Sequence, residues 1–173
     1  MTERKSYIIA PLPGYEPEIG RWLWGLEDVR RTIKTRLQGV SQQIIDMKVD
    51  GLDSIGTLLY HIALIEADWF YVEVLETEFP PEILKLLPFD CRNADESLVY
   101  VEGESLEQHW HRLDTVRNIL LAHFQQMDIT DWRKPRVLPQ YDVTPEWVIY
   151  HLIEHEAHHR GHIFQLLHQL GHK

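Results

Sequence analysis

The chain has 173 residues, of which 44% are hydrophobic and 25% are charged, so it suits one domain over residues 1–173 with a single core. Its 17 Lys and Arg against 27 Asp and Glu give a net charge of -10, which argues against nucleic-acid binding because phosphates would be repelled. After Arg4 and Lys5, the apolar run at residues 7–10 is too short for a signal peptide, and no later run would span a membrane. With Cys91 as its only cysteine, the sequence predicts a cytoplasmic protein without a membrane partner.

The first helix is predicted from Glu16 to Val40, with Pro17 in its opening turn. Apolar residues recur every three or four positions along it and form one buried stripe: Ile19, Leu23, Leu26, Val29, Ile33 and Leu37. Four basic residues at helical spacing among acidic neighbours are interpreted as a solvated face: Arg30, Arg31, Lys34 and Arg36.

The second helix is predicted to begin after Asp53 or Ser54, both good N-caps, and to run toward Pro80–Pro81. Its buried stripe is Ile55, Leu58, Ile62, Ile65, Trp69 and Val72. The third helix opens at Ser105, where Gln108 three residues on predicts a capping box. On its surface Asp114 is expected to pair with Arg117.

The fourth helix has Thr144 as N-cap and Pro145 at its first position, and it runs to Leu170 before Gly171. A long crossover, residues 80–104, joins the second helix to the third, and its strand-like run at 98–101 is expected to pair with residues 136–138 in a short ribbon. These segments predict an all-α four-helix bundle with one long crossover.

Six of the eleven histidines lie in the fourth helix: His151, His155, His158, His159, His162 and His168. Helical periodicity places four of them on the core side, while His158 lies on the flank. Several imidazoles packed in an apolar interior leave donors and acceptors unsatisfied, whereas one divalent cation accepts a lone pair from each. The histidines at 109, 111, 123, 168 and 172 are expected on the surface.

His155 and His159, one turn apart, would converge on one ion, and His61, which flanks the buried stripe of the second helix, is the natural third ligand. Three neutral imidazoles with open coordination positions suit Zn or Ni. His151 and His162 stay open as further ligands, outer hydrogen-bond donors or pocket walls.

Residues 155–159 also read H-E-x-x-H, the zinc-peptidase motif in which Glu156 would serve as general base. The longer form of that motif would need Gly and His where His162 and Gln165 stand. Residues 151–155 match the inverse pattern H-x-x-E-H equally well. A His- and Glu-rich helix produces both strings readily, so a peptidase is the less favoured alternative.

Two stretches, residues 54–63 with Glu66 and Trp69, and residues 155–163, resemble motifs of the DinB-like (YfiT-like) superfamily of metal-binding four-helix bundles. Residues 144–147 extend the resemblance across nearly the whole chain. It implies a three-histidine Zn or Ni site with ligands at His61, His155 and His159. It also implies activities such as thiol S-transfer with bacillithiol or mycothiol, or metal-dependent hydrolysis. One departure is His162, where the superfamily often has Gln.

The sequence thus predicts a metal-dependent enzyme, a thiol S-transferase or a hydrolase, in which the ion activates a thiol or water toward a small molecule. Its acid or base is not fixed by the sequence; the candidates are Glu156, Glu154 and Glu66. The alternative is a metal-binding stress-response protein without turnover. A second apolar strip on the fourth helix, Ile149, Ile153, Ala157 and Phe164, is expected to pack against the crossover or another subunit, and the resemblance favours a homodimer.

Overall fold

A computed structural model describes residues 7–49 and 51–172, so Arg4 and Lys5 lie outside the described residues. Four long helices pack around one continuous hydrophobic cluster, which confirms the all-α bundle: α1 Pro17–Arg36, α3 Ile55–Asp68, α5 Leu106–Phe124 and α7 Pro145–Gln169. Three short helices occupy the connections: α2 Gln42–Asp46, α4 Pro81–Leu86 and α6 Ile129–Trp132. Within the described ranges, no helix is both long and apolar enough to cross a lipid bilayer.

The helix starts follow the capping signals. The Ser54 hydroxyl accepts a hydrogen bond from the Thr57 amide at 3.2 Å, and Ser105 and Gln108 form the reciprocal capping box. α1 ends at Arg36, earlier than the predicted Val40, and Gly39 beyond it adopts φ 75°, a left-handed conformation that turns the chain away from the helix axis.

The ribbon exists, but its predicted partner was wrong. Strand β1, Arg136–Val137, pairs antiparallel with β2, Asp142–Val143, rather than with residues 98–101 of the crossover. Leu98 instead forms an isolated bridge with Arg92 inside the crossover. A hairpin partner a few residues away costs less loop entropy than a partner almost forty residues away, so the local pairing wins.

The second predicted helix changes type near its end. From Trp69 to Val74 the backbone is π-helical, with the Leu75 amide donating to the Phe70 carbonyl at 3.0 Å, five residues back. The wider turn shifts the side chains out of the α-helical register. Val72, predicted in the buried stripe, is therefore 39% exposed, while Tyr71 and Val74 are buried.

The second apolar strip of α7 is covered by α1, not by the crossover as one prediction had it. Ile149 is fully buried, and a Cβ added to Gly25 of α1 would lie 3.4 Å from the Ile153 side chain. The Arg36 guanidinium sits 6.0 Å from the centre of the Phe164 ring. The glycine lets the two helices approach closely, while Ile153, Ala157 and Phe164 of the strip remain partly exposed.

Candidate metal centre

Three histidines from two helices meet at one point. The Nε2 atom of His155 lies 3.1 Å from Nε2 of His61 and 3.2 Å from Nε2 of His159. His61 and His159 are buried, and His155 is half-buried. We call these three residues the inner trio.

The pairing of α3 with α7 brings the inner trio together. On α7, His155 and His159 are one turn apart, so their rings project in similar directions. On α3, His61 follows Leu58 on the face that packs against α7. The sequence-predicted residues therefore converge, each from the helix to which it was assigned.

The donor chemistry of the inner trio fits a divalent metal ion. A tetrahedral site with bonds of about 2.0–2.1 Å sets its nitrogen ligands roughly 3.3 Å apart, close to the spacing seen here. A proton on one Nε2 atom can bridge only one pair of the trio. One cation would instead accept a lone pair from all three nitrogens.

Burial keeps the inner trio uncharged. Desolvation, helped by the Arg92 charge, lowers the pKa of His61 to about 4. Desolvation, then repulsion from neighbouring histidines, lowers the pKa of His155 to about 3 and that of His159 to about 2. At neutral pH the three rings carry the lone pairs that a metal requires.

These pKa values predict that the metal-free protein loses stability in mild acid. An unfolded histidine takes up a proton near pH 6.5, whereas the folded inner trio stays neutral until much lower pH, so the unfolded state binds more protons. The free energy of unfolding keeps its full value above pH 6.5. Below that pH it falls by at most about 1.4 kcal/mol per pH unit for each histidine. Urea unfolding of chelator-treated protein at pH 7.5, 6.5 and 5.5 measures it. A free energy of unfolding that is constant or rises over this range contradicts the prediction.

The inner trio lies in a cavity of about 470 Å³. Asp53 and Arg92 line it with opposite charges, and Trp69, where the π-helical turn begins, forms part of its wall. His151 lies beyond the inner trio, its ring stacked on Trp147 at 5.1 Å between centroids. His158 and His162 also line the cavity. The inner trio is therefore open to small molecules on one side.

Cys91 contacts the His61 ring from the side opposite the inner trio. Nothing in the sequence predicts this position. Its Sγ atom lies 3.5 Å from His61 Nδ1, the nitrogen that faces away from the inner trio. Burial raises the pKa of the Cys91 thiol, so it is protonated at neutral pH. A partner on the remote nitrogen helps to fix the orientation of the ring. Cys91 belongs to the long crossover, whose path carries no sequence signal.

The structure places two of the three acid/base candidates in a buried charge network away from the cavity. Glu66 of α3 and Glu156 of α7 bind Arg30 of α1 and Arg117 of α5, so each long helix supplies one charge. Arg117 Nη2 donates to Glu66 at 2.9 Å and to Glu156 at 2.8 Å. We call these four residues the charge network. Glu154, the third candidate, is exposed.

The charge network corrects two sequence interpretations. Arg30 is 4% exposed and Arg117 is 3% exposed, so neither lies on a solvated face, and Asp114 pairs with Lys34 instead of Arg117. Burial alone would raise the pKa of Glu66, but the charges of Arg117 and Arg30 outweigh it and hold that pKa below its ordinary value. Glu66 is thus an ionised ion-pair partner.

The same contacts count against the peptidase alternative. The general base of an H-E-x-x-H site must reach the cavity in which water is activated. Both carboxylate oxygens of Glu156 instead accept hydrogen bonds from arginines, and the residue is 1% exposed. Glu156 directly follows His155, so its side chain is rotated by about 100° around the helix axis and points into the bundle.

His109 was predicted on the surface but is 1% exposed. Its Nε2 atom packs against Gly56, where an added Cβ would lie 3.1 Å away, and its Nδ1 atom is 3.3 Å from Arg112. Desolvation lowers the pKa of His109 to about 4. Leu113 and Val116 follow His109 by four and seven residues, a helical spacing that places all three on one buried face.

A second, apolar cavity of about 430 Å³ adjoins the first. Trp69 lines both, and Trp147 and Tyr141 line the second while remaining 44% and 46% exposed. Trp69 and Trp147 have ring centroids 5.2 Å apart. Exposed aromatic side chains around a concave apolar surface are typical of ligand-binding sites. We call this the aromatic cavity.

Fold and site together define the chain as a helical bundle with a three-histidine cluster that could hold a metal ion. Over residues 24–168 the chain matches the mycothiol S-transferase family, and it belongs to that family. This family lies within the DinB/YfiT-like superfamily that the motifs resemble. Among curated proteins, no match to the chain is found.

Proposed function

We propose that this protein is a metal-dependent S-transferase that joins a low-molecular-weight thiol of the mycothiol type to an electrophilic small molecule. The observation that supports it most is the convergence of three neutral imidazole nitrogens in an open cavity. Membership of the mycothiol S-transferase family supports the thiol as the first substrate.

His61, His155 and His159 would hold one divalent ion, Zn or Ni. Such an ion lowers the pKa of a coordinated thiol or water, so that the nucleophile exists at neutral pH. Among the described residues, these three form the buried donor group, and the cavity leaves space for a substrate ligand. Open coordination favours catalysis over a purely structural ion, because structural zinc sites are closed by four protein ligands.

The transfer forms a bond between the thiol sulfur and a carbon of the acceptor. The bond from that carbon to the leaving group breaks, the leaving group keeps its electron pair, and the thiol proton passes to water. Glu66 and Glu156 are held by arginines and Glu154 is exposed, so we assign the proton to solvent in the open cavity rather than to a carboxylate.

The aromatic cavity would receive the apolar part of the acceptor. It shares Trp69 with the cavity of the inner trio, so a molecule that fills it lies beside the thiol site. Asp142 is the charged residue among those lining it and disfavours anionic acceptors, while the tryptophan and tyrosine walls favour aromatic ones.

Replacing Trp147 by alanine is expected to raise KM for a neutral aromatic electrophile about tenfold, because about 1.4 kcal/mol of aromatic contact is lost. The KM for the thiol should change little, since Trp147 is not among the residues lining the cavity of the inner trio. Steady-state kinetics with 1-chloro-2,4-dinitrobenzene measure both values. Trp110→Ala is the matched control, because Trp110 lines neither cavity. An equal rise in both KM values contradicts the assignment of the aromatic cavity to the acceptor.

The proposed function is tested on protein purified without an affinity tag. Elemental analysis is expected to find Zn or Ni on the chain, and the protein should conjugate mycothiol to the same electrophile faster than the uncatalysed reaction. Chelation should remove the activity, and one equivalent of metal should restore it. Bound metal without conjugation of any small thiol favours the non-catalytic stress-response alternative. A folded chain that cannot be loaded with metal overturns both.

A further inference from the structure

A second group of three histidines lies beside the inner trio. His158, His159 and His162 have ring centroids 4.4, 5.1 and 5.6 Å apart. The corresponding distances in the inner trio are 4.5, 4.9 and 5.0 Å. The two groups are nearly equal in size and share His159. We call the second one the outer trio.

Helix geometry explains why the outer trio converges. His158 and His162 are one turn apart on α7, and His162 also follows His159 by three residues, so each ring has a neighbour on the same face. Donor nitrogens of all three lie within 4.8 Å of one another. His158 is exposed, His162 is half-buried and His159 is buried, so the group runs from solvent into the protein.

The two nitrogens of His159 have different surroundings. Its Nε2 atom faces the inner trio. Its Nδ1 atom is buried and has no hydrogen-bond partner among the described residues. An unpaired buried polar atom costs about 1–3 kcal/mol, and the outer nitrogen of a metal-binding histidine ordinarily has a partner. The unpaired Nδ1 therefore marks a place for a ligand that the chain does not supply.

We propose that the outer trio forms a second site for a divalent transition-metal ion. His158 and His162 supply two imidazole nitrogens, His159 supplies Nδ1, and His159 then bridges two ions after losing its remaining ring proton to water. Imidazole donors select ions such as Zn²⁺, Ni²⁺ or Cu²⁺ and not Mg²⁺ or Ca²⁺, which prefer oxygen. The site is weaker than the inner one, because His158 is exposed and must be ordered on binding.

The outer site would control access to the inner one. His158 and His162 line the same cavity as the inner trio, so an ion bound between them lies at its solvent side. A second ion there narrows the route by which a thiol reaches the inner trio. Excess Zn²⁺ should therefore weaken thiol binding to protein that already carries one ion.

Calorimetric titration of metal-free protein with Zn²⁺, checked by elemental analysis after dialysis, tests the proposal. Two ions per chain are expected, the second bound more weakly. His158→Gln and His162→Gln should each weaken the second ion at least about tenfold and leave the first in place. His61→Ala should remove the tight ion and keep the weak one. His168→Gln, at an exposed histidine in the last turn of α7, is the control and should keep both.

Circular dichroism confirms that each variant is folded. One ion per chain in the unmodified protein overturns the proposal, since the two trios would then compete for His159. A second ion that persists in both His158→Gln and His162→Gln also overturns it, because that ion lies elsewhere on this histidine-rich chain. Neither result bears on the inner site, because binding of the first, tighter ion tests that site separately.

Discussion

Replacing His155 by alanine is expected to weaken binding of the tight metal ion by at least about 100-fold. His155 holds the central nitrogen of the inner trio, within 3.2 Å of both partners, so its removal leaves two donors on different helices. Loss of even an outer hydrogen-bond partner costs about 10–100-fold in metal affinity, and loss of a ligand costs more. Competition against a chromophoric chelator measures the affinity, and the conjugation rate should fall with it.

Two comparisons make this result specific. His61→Ala and His159→Ala should show losses of the same order, because each removes one of three equivalent donors. His151→Ala should retain the tight ion, since the His151 ring lines the cavity but stacks on Trp147 outside the inner trio. If His151→Ala loses the ion as completely as His155→Ala does, the ligand set is wrong.

Replacing Glu156 by glutamine is expected to reduce the free energy of unfolding by about 3–5 kcal/mol. The substitution keeps the shape of the side chain but removes a charge that faces both Arg30 and Arg117 in the core. Breaking a buried ion pair leaves the partner charge desolvated and uncompensated. Since whole domains are stable by only about 5–15 kcal/mol, the loss is large. Urea denaturation of the metal-free variant measures it.

Glu154→Gln is the matched control, two residues away on the same helix but exposed, and it should change stability by less than about 0.5 kcal/mol. If Glu156→Gln does not fold, Glu27→Gln removes the half-exposed partner of Arg117 and should cost about 1 kcal/mol or less. Equal stabilities for the Glu156 and Glu154 variants would show that the charge network contributes nothing to stability.

Much of the fold follows from local signals. Ser54, Ser105 and Thr144 cap the helices they were predicted to cap, and the stripes of α1 and α7 define the faces that pack. The ends and the irregular parts do not follow in this way. The π-helical turn at Trp69 depends on tertiary packing that a 3.6-residue period does not contain, and the partner of β1 depends on loop length.

The residues of the inner trio were predictable because several histidines on one apolar stripe would leave their nitrogens unsatisfied unless they bound an ion. The sequence does not predict the charge network, although its arginines fall at the helical spacing of core residues. Arg30 falls between Leu26 and Ile33 on the buried stripe, and Arg117 lies four residues after Leu113. Because buried charges are uncommon, a charged residue at a core position is predicted to be exposed, and the partners of Arg30 and Arg117 lie on other helices. Only the packed bundle brings opposite charges together.

The adjacency of His155 and Glu156 along α7 ties the charge network to the inner trio. Because Glu156 is anchored to arginines of α1 and α5, α7 can neither rotate about its axis nor slide without breaking those ion pairs. The inner trio therefore keeps its geometry through contacts that require no ion. The ion that we propose for the inner trio would therefore be exchangeable while the chain stays folded, so we expect the supply of metal, rather than folding, to decide which ion is bound.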